Sequence, residues 1–264
     1  MDSMAGKSKD IYVHVFGGTS DALAICRQLE SQNIGYSLSV ATETGEELAS
    51  DLQAEIIVQR MTQEQMMTWL AGRQIRCVID ATHPFAAEVS KNVLAACQTL
   101  QLPCLRFERP SQITALESEL LIKVDDVEQA CEQAKQLGET VFLTTGSKQL
   151  ADYIRLLPEK QLIVRVLPTV PVIQSCYALG LGIGNIVAMK GPFSAEMNAA
   201  MYRFYQADVV ITKESGEVGG YQEKVKPCLT LGIPCIVIKR PIVAYQQVFS
   251  DIADTVNTVK MSLK

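Results

Sequence analysis

The sequence predicts an α/β protein built from two Rossmann-like parallel-sheet domains, with an active site in the cleft between them. Three observations carry this. Short apolar, β-branched runs alternate with longer amphipathic segments along the chain. The runs are apolar on both sides, as strands covered on both faces require. The second half repeats the pattern of the first.

In the first half the strand-like runs are Ile11–Phe16, Tyr36–Ala41, Glu55–Gln59, Cys77–Asp80 and Pro103–Phe107. Helical spacing marks Thr19–Glu30, where Leu23, Ala24, Cys26 and Leu29 are apolar, and Ala86–Leu100. It also marks Met61–Leu70, where Thr62 and Gln65 have capping-box spacing. In the second half the runs are Thr140–Thr144, Leu162–Val166, Asn185–Met189, Asp208–Thr212 and Pro234–Ile238.

Residues 78–110 align without a gap on 209–241, at an offset of 131. The shared positions include Cys97/Cys228, Pro103/Pro234, Cys104/Cys235, Arg109/Arg240 and Pro110/Pro241. A weaker match sets 13–29 against 141–157, at an offset of 128. Near-equal offsets argue for a duplicated unit. The competing reading is chance likeness between generic strand–helix–strand segments. The alternation breaks over residues 111–125. The expected layout is therefore a disordered tail at 1–10, a dinucleotide-binding domain at 11–118 and a substrate-binding domain at 119–264.

Composition narrows the function classes. Of 264 residues, 48% are hydrophobic and 20% charged, and the net charge is −5, which gives no basic face for nucleic acid. Eight cysteines lack C-x-x-C spacing and only two histidines occur, so no metal site is expected. Most of the cysteines lie in apolar runs and read as reduced core residues, which fits a reducing compartment. The first ten residues lack a signal peptide's apolar stretch. The longest uncharged stretch, Val166–Met189, is broken by Pro and Gly and does not read as a membrane helix. A soluble, cytoplasmic protein follows.

Five segments can carry chemistry, all just after strands. Gly17-Gly18-Thr19-Ser20-Asp21-Ala22 follows the first strand, where a dinucleotide fingerprint belongs. Gly17 and Ala22 take the outer positions of that pattern, and Thr19 replaces its middle glycine. The amides from Gly18 to Asp21 are placed to cradle a pyrophosphate at a helix N-terminus, with a hydroxyl from Thr19 or Ser20. A plain strand-to-helix turn is the alternative. Glu43, 26 residues after Gly17, follows the second strand, where an acid accepts hydrogen bonds from an adenosine ribose and repels a 2′-phosphate. A solvated loop residue is equally consistent. Thr82-His83-Pro84-Phe85 follows Cys77–Asp80 and offers His83 as a proton donor, against a histidine satisfied by local backbone. Thr212-Lys213-Glu214-Ser215-Gly216 and Thr144-Thr145-Gly146-Ser147-Lys148 are the counterparts in the second half, suited to anionic groups or simply solvated. No nucleophile elbow, P-loop or HExxH occurs. A short-chain reductase would show Tyr-x-x-x-Lys, whereas Tyr221 and Lys224 are three apart.

As an ordered set, GGTSDA (17–22), DATHPFAAEVSKNV (80–93), LRFERP (105–110), FLTTGSK (142–148), KGPFSAE (190–196), TKESG (212–216) and LGIPCIVIKRP (231–241) resemble the precorrin-6A / cobalt-precorrin-6A reductase family. The set spans Phe16 to Pro241. The resemblance implies reduction of one carbon–carbon double bond of a polycarboxylate tetrapyrrole by a nicotinamide cofactor, in cobalamin biosynthesis. It implies hydride delivery to one ring carbon and a proton to its neighbour.

It also implies roles. Gly17, Gly18, Thr19, Ser20 and Asp21 hold the pyrophosphate, Glu43 the ribose, and Arg60 packs near the adenosine. His83 is the catalytic residue. Phe85, Gly146, Lys148, Lys190, Lys213, Glu214 and Ser215 face the substrate. Members of the aerobic branch carry an Arg-containing stretch after the second strand; here it reads SVATETGEE, and QRMTQEQM (59–66) resembles the anaerobic branch. The resemblance therefore points to NADH and the cobalt substrate. NADPH with the aerobic substrate, or a non-catalytic nicotinamide sensor, is the alternative. Neighbouring corrin-pathway enzymes are the expected partners.

Overall fold

The computed structural model describes residues 12–113, 116–215 and 219–263. The expected tail at 1–10 and Gly216 lie outside them. The chain divides into two units. One runs to Pro110 and resumes at Pro241, and the other is Ser111–Arg240.

The first unit begins β1 (Val13–Phe16), α1 (Ser20–Ser31), β2 (Tyr36–Val40), α2 (Glu43–Leu48), β3 (Glu55–Val58), α3 (Gln63–Ala71), β4 (Cys77–Asp80), α4 (Ala87–Leu100) and β5 (Cys104–Phe107). The second unit contains β6 (Leu121–Val124), α5 (Val127–Ala134), β7 (Thr140–Leu143), α6 (Leu150–Leu156), β8 (Gln161–Val166) and α7 (Val170–Ala178). It continues with β9 (Ile186–Ala188), α8 (Ala195–Phe204), β10 (Val209–Lys213), α9 (Tyr221–Leu231) and β11 (Cys235–Ile238). The chain then returns to the first unit with β12 (Val248–Phe249) and α10 (Ile252–Leu263).

All ten expected strands are present. The first sheet has the order β3-β2-β1-β4-β5-β12 and the second β9-β8-β7-β10-β11-β6. Every pairing is parallel. Read from one edge, both follow the 3-2-1-4-5-6 order of dinucleotide-binding sheets. They differ in the source of the sixth strand. In the second unit β6 precedes the other five; in the first, β12 arrives after the whole second unit has been traversed.

This corrects the expected boundaries. Residues 241–264 pack on the first unit, not on the second, and residues 111–118 belong to the second. The two-residue β12 is too short to hold the returning segment. The anchor is α10, whose Val256 and Val259 are fully buried against α1 in the core that also holds Val13, Leu38 and Ile79. Each such side chain contributes about 1.5–3 kcal/mol. That core covers one face of the first sheet. The other face packs Phe16 and Val78 on Met66 and Leu70 of α3 and on Val93 and Ala96 of α4.

Local signals explain the helix starts. Thr19 caps α1, accepting from the Ala22 amide. Thr62 and Gln65 complete the expected capping box of α3: the Gln65 amide donates to Thr62 Oγ1 and the Thr62 amide to Gln65 Oε1. All eight cysteines are free thiols and all but Cys104 are buried.

Two buried polar clusters, around His14 and Asp80, punctuate the first sheet. His14 is fully buried, with Nδ1 2.8 Å from Ser37 Oγ and Nε2 2.9 Å from Ser39 Oγ. Burial, then the charge of Arg73, lowers its pKa to about 3, so the ring is neutral. Asp80, also fully buried, accepts from the Thr82 amide, Thr82 Oγ1, Ser90 Oγ and Tyr245 Oη. Arg106 Nη1 lies 3.0 Å from its Oδ1.

Breaking one side of a buried ion pair leaves an uncompensated charge. Arg106→Leu should therefore destabilise the protein by about 3–5 kcal/mol. Tyr245→Phe, which removes one of several donors, should cost about 1–2 kcal/mol. Urea unfolding followed by circular dichroism checks both; equal effects would mean that Arg106 does not carry the Asp80 charge.

Candidate functional site

Parallel strands put all their carboxyl ends on one edge of a sheet, so sequence-distant loops meet there. In the first unit this edge carries Gly17–Asp21 after β1, Glu43 after β2, Arg60 after β3 and His83–Phe85 after β4. In the second it carries Gly146 and Lys148 after β7, Lys190 after β9, and Lys213–Ser215 at the end of β10. Every residue singled out from the sequence therefore lies at a carboxyl edge.

The glycine turn is built for a close approach. A Cβ on Gly17 would stand 2.7 Å from Leu38 Cδ1 and 3.2 Å from the Ala22 Cβ, so a side chain there forces the turn away from β2 and α1. Gly18 has φ +107° and open space where a Cβ would be, so it is suited by conformation alone. Gly146, at the matching turn of the second unit, has φ +77° and the same open space. The Gly17 amide is spent on Ser39 O at 2.9 Å and the Ala22 amide on Thr19 Oγ1. Among the described residues no partner is seen for the Ser20 and Asp21 amides, the unpaired donors of a helix's first turn. An open backbone face, a tight turn and free amides fit a dinucleotide's diphosphate.

Two side chains of this turn have other duties. Thr19 Oγ1 donates to Ala81 O at 2.9 Å while capping α1, so it ties the β1 turn to the end of β4. That leaves Ser20, which is exposed, as the available hydroxyl. Asp21 pairs with Arg109, Nη2 to Oδ1 2.7 Å, which offsets its negative charge beside the unpaired amides of the turn.

Glu43 is not in a loop. It is exposed in the first turn of α2, where Thr42 caps the helix and an acid is favoured by the helix dipole in any case. Arg60 is exposed just beyond β3. His83 is exposed, and the Phe85 amide donates to its Nδ1 at 3.2 Å. That bond makes Nδ1 an acceptor and leaves the proton of the neutral ring on Nε2. The ring centroids of His83 and Phe85 are 5.9 Å apart.

In the second unit Lys213 Nζ donates to Gln149 Oε1 at 2.7 Å, which links the end of β10 to the turn after β7. Burial, then the charge of Lys148, lowers its ammonium below the usual range. Lys148 and Lys190 are exposed. Glu214 stands apart from the others. It is buried, its Oε2 accepts from the Arg240 amide at 3.0 Å, and Arg240 Nε is 3.4 Å from its Oε1. Its carboxylate thus faces Arg240 of the repeat's closing Arg-Pro. Ser215 Oγ donates to Gly219 O and accepts from Lys224 Nζ, both at 2.9 Å.

Sequence reasoning missed Arg165 of β8, Asn198 of α8 and Lys224 of α9, which line one cavity in the second unit. Arg165 sits within an apolar strand run, and a lone charge there was the available signal. No helix among the described residues is long and apolar enough to cross a membrane.

Residues 12–260 match the model of the family described as precorrin-6x reductase CbiJ/CobK. A cobalt-precorrin-6A reductase of Salmonella typhimurium is 52% identical over 229 residues, 87% of either chain. One of Methanothermobacter thermautotrophicus is 39% identical over 259 residues, 96% of this chain and 84% of that one. Among solved structures, the CobK precorrin-6A reductase matches with a TM-score of 0.78 and 24% identity, covering 96% of this chain and 97% of that one. It has the same fold.

The His83 geometry is directly testable. Nitrogen-15 correlation spectra of the neutral ring should report protonated Nε2 and bare Nδ1; the opposite tautomer would remove the Phe85 bond.

Proposed function

The chain belongs to the precorrin-6x reductase family, and from that premise we propose that it reduces one ring double bond of cobalt-precorrin-6A with NADH, giving cobalt-precorrin-6B. An oxidoreductase acting on the precorrin-6A skeleton follows from family membership over nearly the whole chain. The choice of NADH and of the cobalt-bearing substrate is the finer reading. Glu43 supports the first, since a carboxylate beside an adenosine ribose disfavours a 2′-phosphate. The names of the two relatives above support the second.

When bound, a reduced nicotinamide supplies the hydride. The protein's own part is placement and proton supply. The Ser20 and Asp21 amides at the start of α1 hold the diphosphate, with Gly17 and Gly18 allowing the backbone to approach it and Thr19 fixing the turn to the end of β4. Glu43 accepts from the ribose hydroxyls, and Arg60 packs near the adenosine. His83 gives its Nε2 proton to the ring carbon next to the one that takes hydride, and Phe85 flanks it. Lys148, Lys190 and Lys213 attract the substrate's carboxylates at the other unit's carboxyl edge, with Gly146 keeping that edge open. Glu214, turned to Arg240, holds the β10 end in shape instead of meeting substrate.

The observation that carries the mechanism is the open, amide-lined Gly17–Asp21 turn. Anaerobic incubation with NADH or NADPH and either precorrin-6A or its cobalt form, followed by absorbance, tests the reading. NADH oxidation with the cobalt form is expected; cofactor binding without oxidation of either would leave a nicotinamide sensor. Glu43→Arg should shift the NADH/NADPH ratio of kcat/KM towards NADPH by about tenfold or more, and an unchanged ratio removes its assigned role. His83→Ala should lower kcat by about 100-fold or more with NADH affinity retained. If turnover survives, the proton comes from elsewhere.

A further inference from the structure

At the carboxyl ends of β7, β8 and β9 the second unit holds a cavity of about 350 Å³. Two cations line it: Arg165, next to last in β8, and Lys224 in the first turns of α9. Arg165 is only 6% exposed, and its guanidinium stacks on the Phe193 ring at 4.2 Å. Nη1 donates to Asn198 Oδ1 at 2.6 Å. Asn198 is itself fully buried and donates from Nδ2 to Ser194 O at 2.9 Å, which fixes its oxygen towards Arg165.

What is missing is a counter-charge. Among the described residues neither Arg165 nor Lys224 has a carboxylate partner. Lys224 Nζ donates to Ser215 Oγ, a neutral group. Burial, then the charge of Arg165, lowers its ammonium to about 8. Two buried cations at one cavity are costly to fold, because each has lost water without gaining an anion. Such a pair is retained where something anionic enters from outside. The remaining N–H groups of a guanidinium fork match an oxyanion with two oxygens. The lining also includes Gly146, Gly191, Gly219 and Gly220, which narrow nothing with side chains. The volume lies at the low end of the roughly 300–1,000 Å³ range of small-molecule sites, enough for a carboxyalkyl arm and not for a whole macrocycle.

We propose that this cavity is a carboxylate subsite in which Arg165 and Lys224 together receive one acidic side arm of the substrate. The assignment rests on the reading above that the substrate is a polycarboxylate tetrapyrrole, and it adds the residues that select for the arm. Ser215 acts through Lys224 as a positioning residue, and Asn198 and Phe193 act through Arg165. The same oxyanion chemistry could come from the cofactor's diphosphate, so the test separates the two sources.

Uroporphyrin, a tetrapyrrole with a carboxylate on every side arm, serves as a non-reacting probe. Its fluorescence is titrated with the intact protein, with Lys224→Met and with Arg165→Lys, alongside NADH titrations and melting curves. Each variant should bind uroporphyrin about tenfold or more weakly, the loss of one charge-assisted contact, with NADH affinity unchanged. In the anaerobic assay KM for the tetrapyrrole should rise while kcat holds within a few-fold. Unchanged uroporphyrin affinity in a Lys224→Met protein of native melting temperature overturns the subsite. So does a loss of NADH affinity in place of uroporphyrin affinity, which would give the cavity to the cofactor. If Arg165→Lys fails to fold, Lys224→Met decides alone. Variant-sensitive uroporphyrin binding by a protein that reduces neither substrate would uphold the subsite and sink the reductase reading. Reduction at unchanged KM in both variants would do the reverse.

Discussion

Asp80 ends β4 with no solvent exposure, and a carboxylate in that position survives only if every lone pair is met. The first unit meets that demand from four places in the chain. Thr82 supplies the loop, Ser90 the helix behind it, Arg106 the neighbouring strand and Tyr245 the segment returning from the far end of the sequence. One buried charge thereby fixes the loop that displays His83 and the stretch that delivers β12. Arg106 extends the network to Glu108 and to Thr82 O, so the end of β5 is tied to the same centre.

The second unit has no such hub at the matching place, because the residue aligned with Asp80 is Ile211. Its charge pairing lies three residues further along each strand end, at Glu214 and Arg240. The repeat thus preserves strand order and turn geometry while exchanging the polar groups at the carboxyl edge. Gly18 and Gly146 both keep a positive φ, whereas the first is followed by the unpaired amides of Ser20 and Asp21 and the second by Lys148. Duplicate sheets with divergent edges can divide labour, one edge for a nucleotide's diphosphate and the other for acidic arms.

Electrostatic bookkeeping separates the two edges further. In the first unit each buried or half-buried charge near the edge has its opposite: Asp80 with Arg106, Asp21 with Arg109. In the second, Glu214 and Arg240 balance, but among the described residues Arg165 and Lys224 have no carboxylate partner. An edge that is neutral in itself suits a ligand held by backbone dipoles. An edge with surplus buried cations suits one that brings its own negative charge.

Sequence alone determined the strand runs, the strand–helix alternation, the internal repeat, the capping box at Thr62 and the glycine turn. Those features are set by neighbours within a few residues or by a side-chain period, and such signals are written locally. Only the tertiary structure decided that β12 and α10 belong to the first unit, since that depends on burying Val256 and Val259 against a helix more than 200 residues earlier. Only it decided that Glu214 turns inwards, that Thr19 is consumed by Ala81, and that Arg165 meets Lys224 at a cavity. These are pairings between distant segments, and a parallel sheet brings together strand ends whose sequence neighbours carry no trace of the meeting.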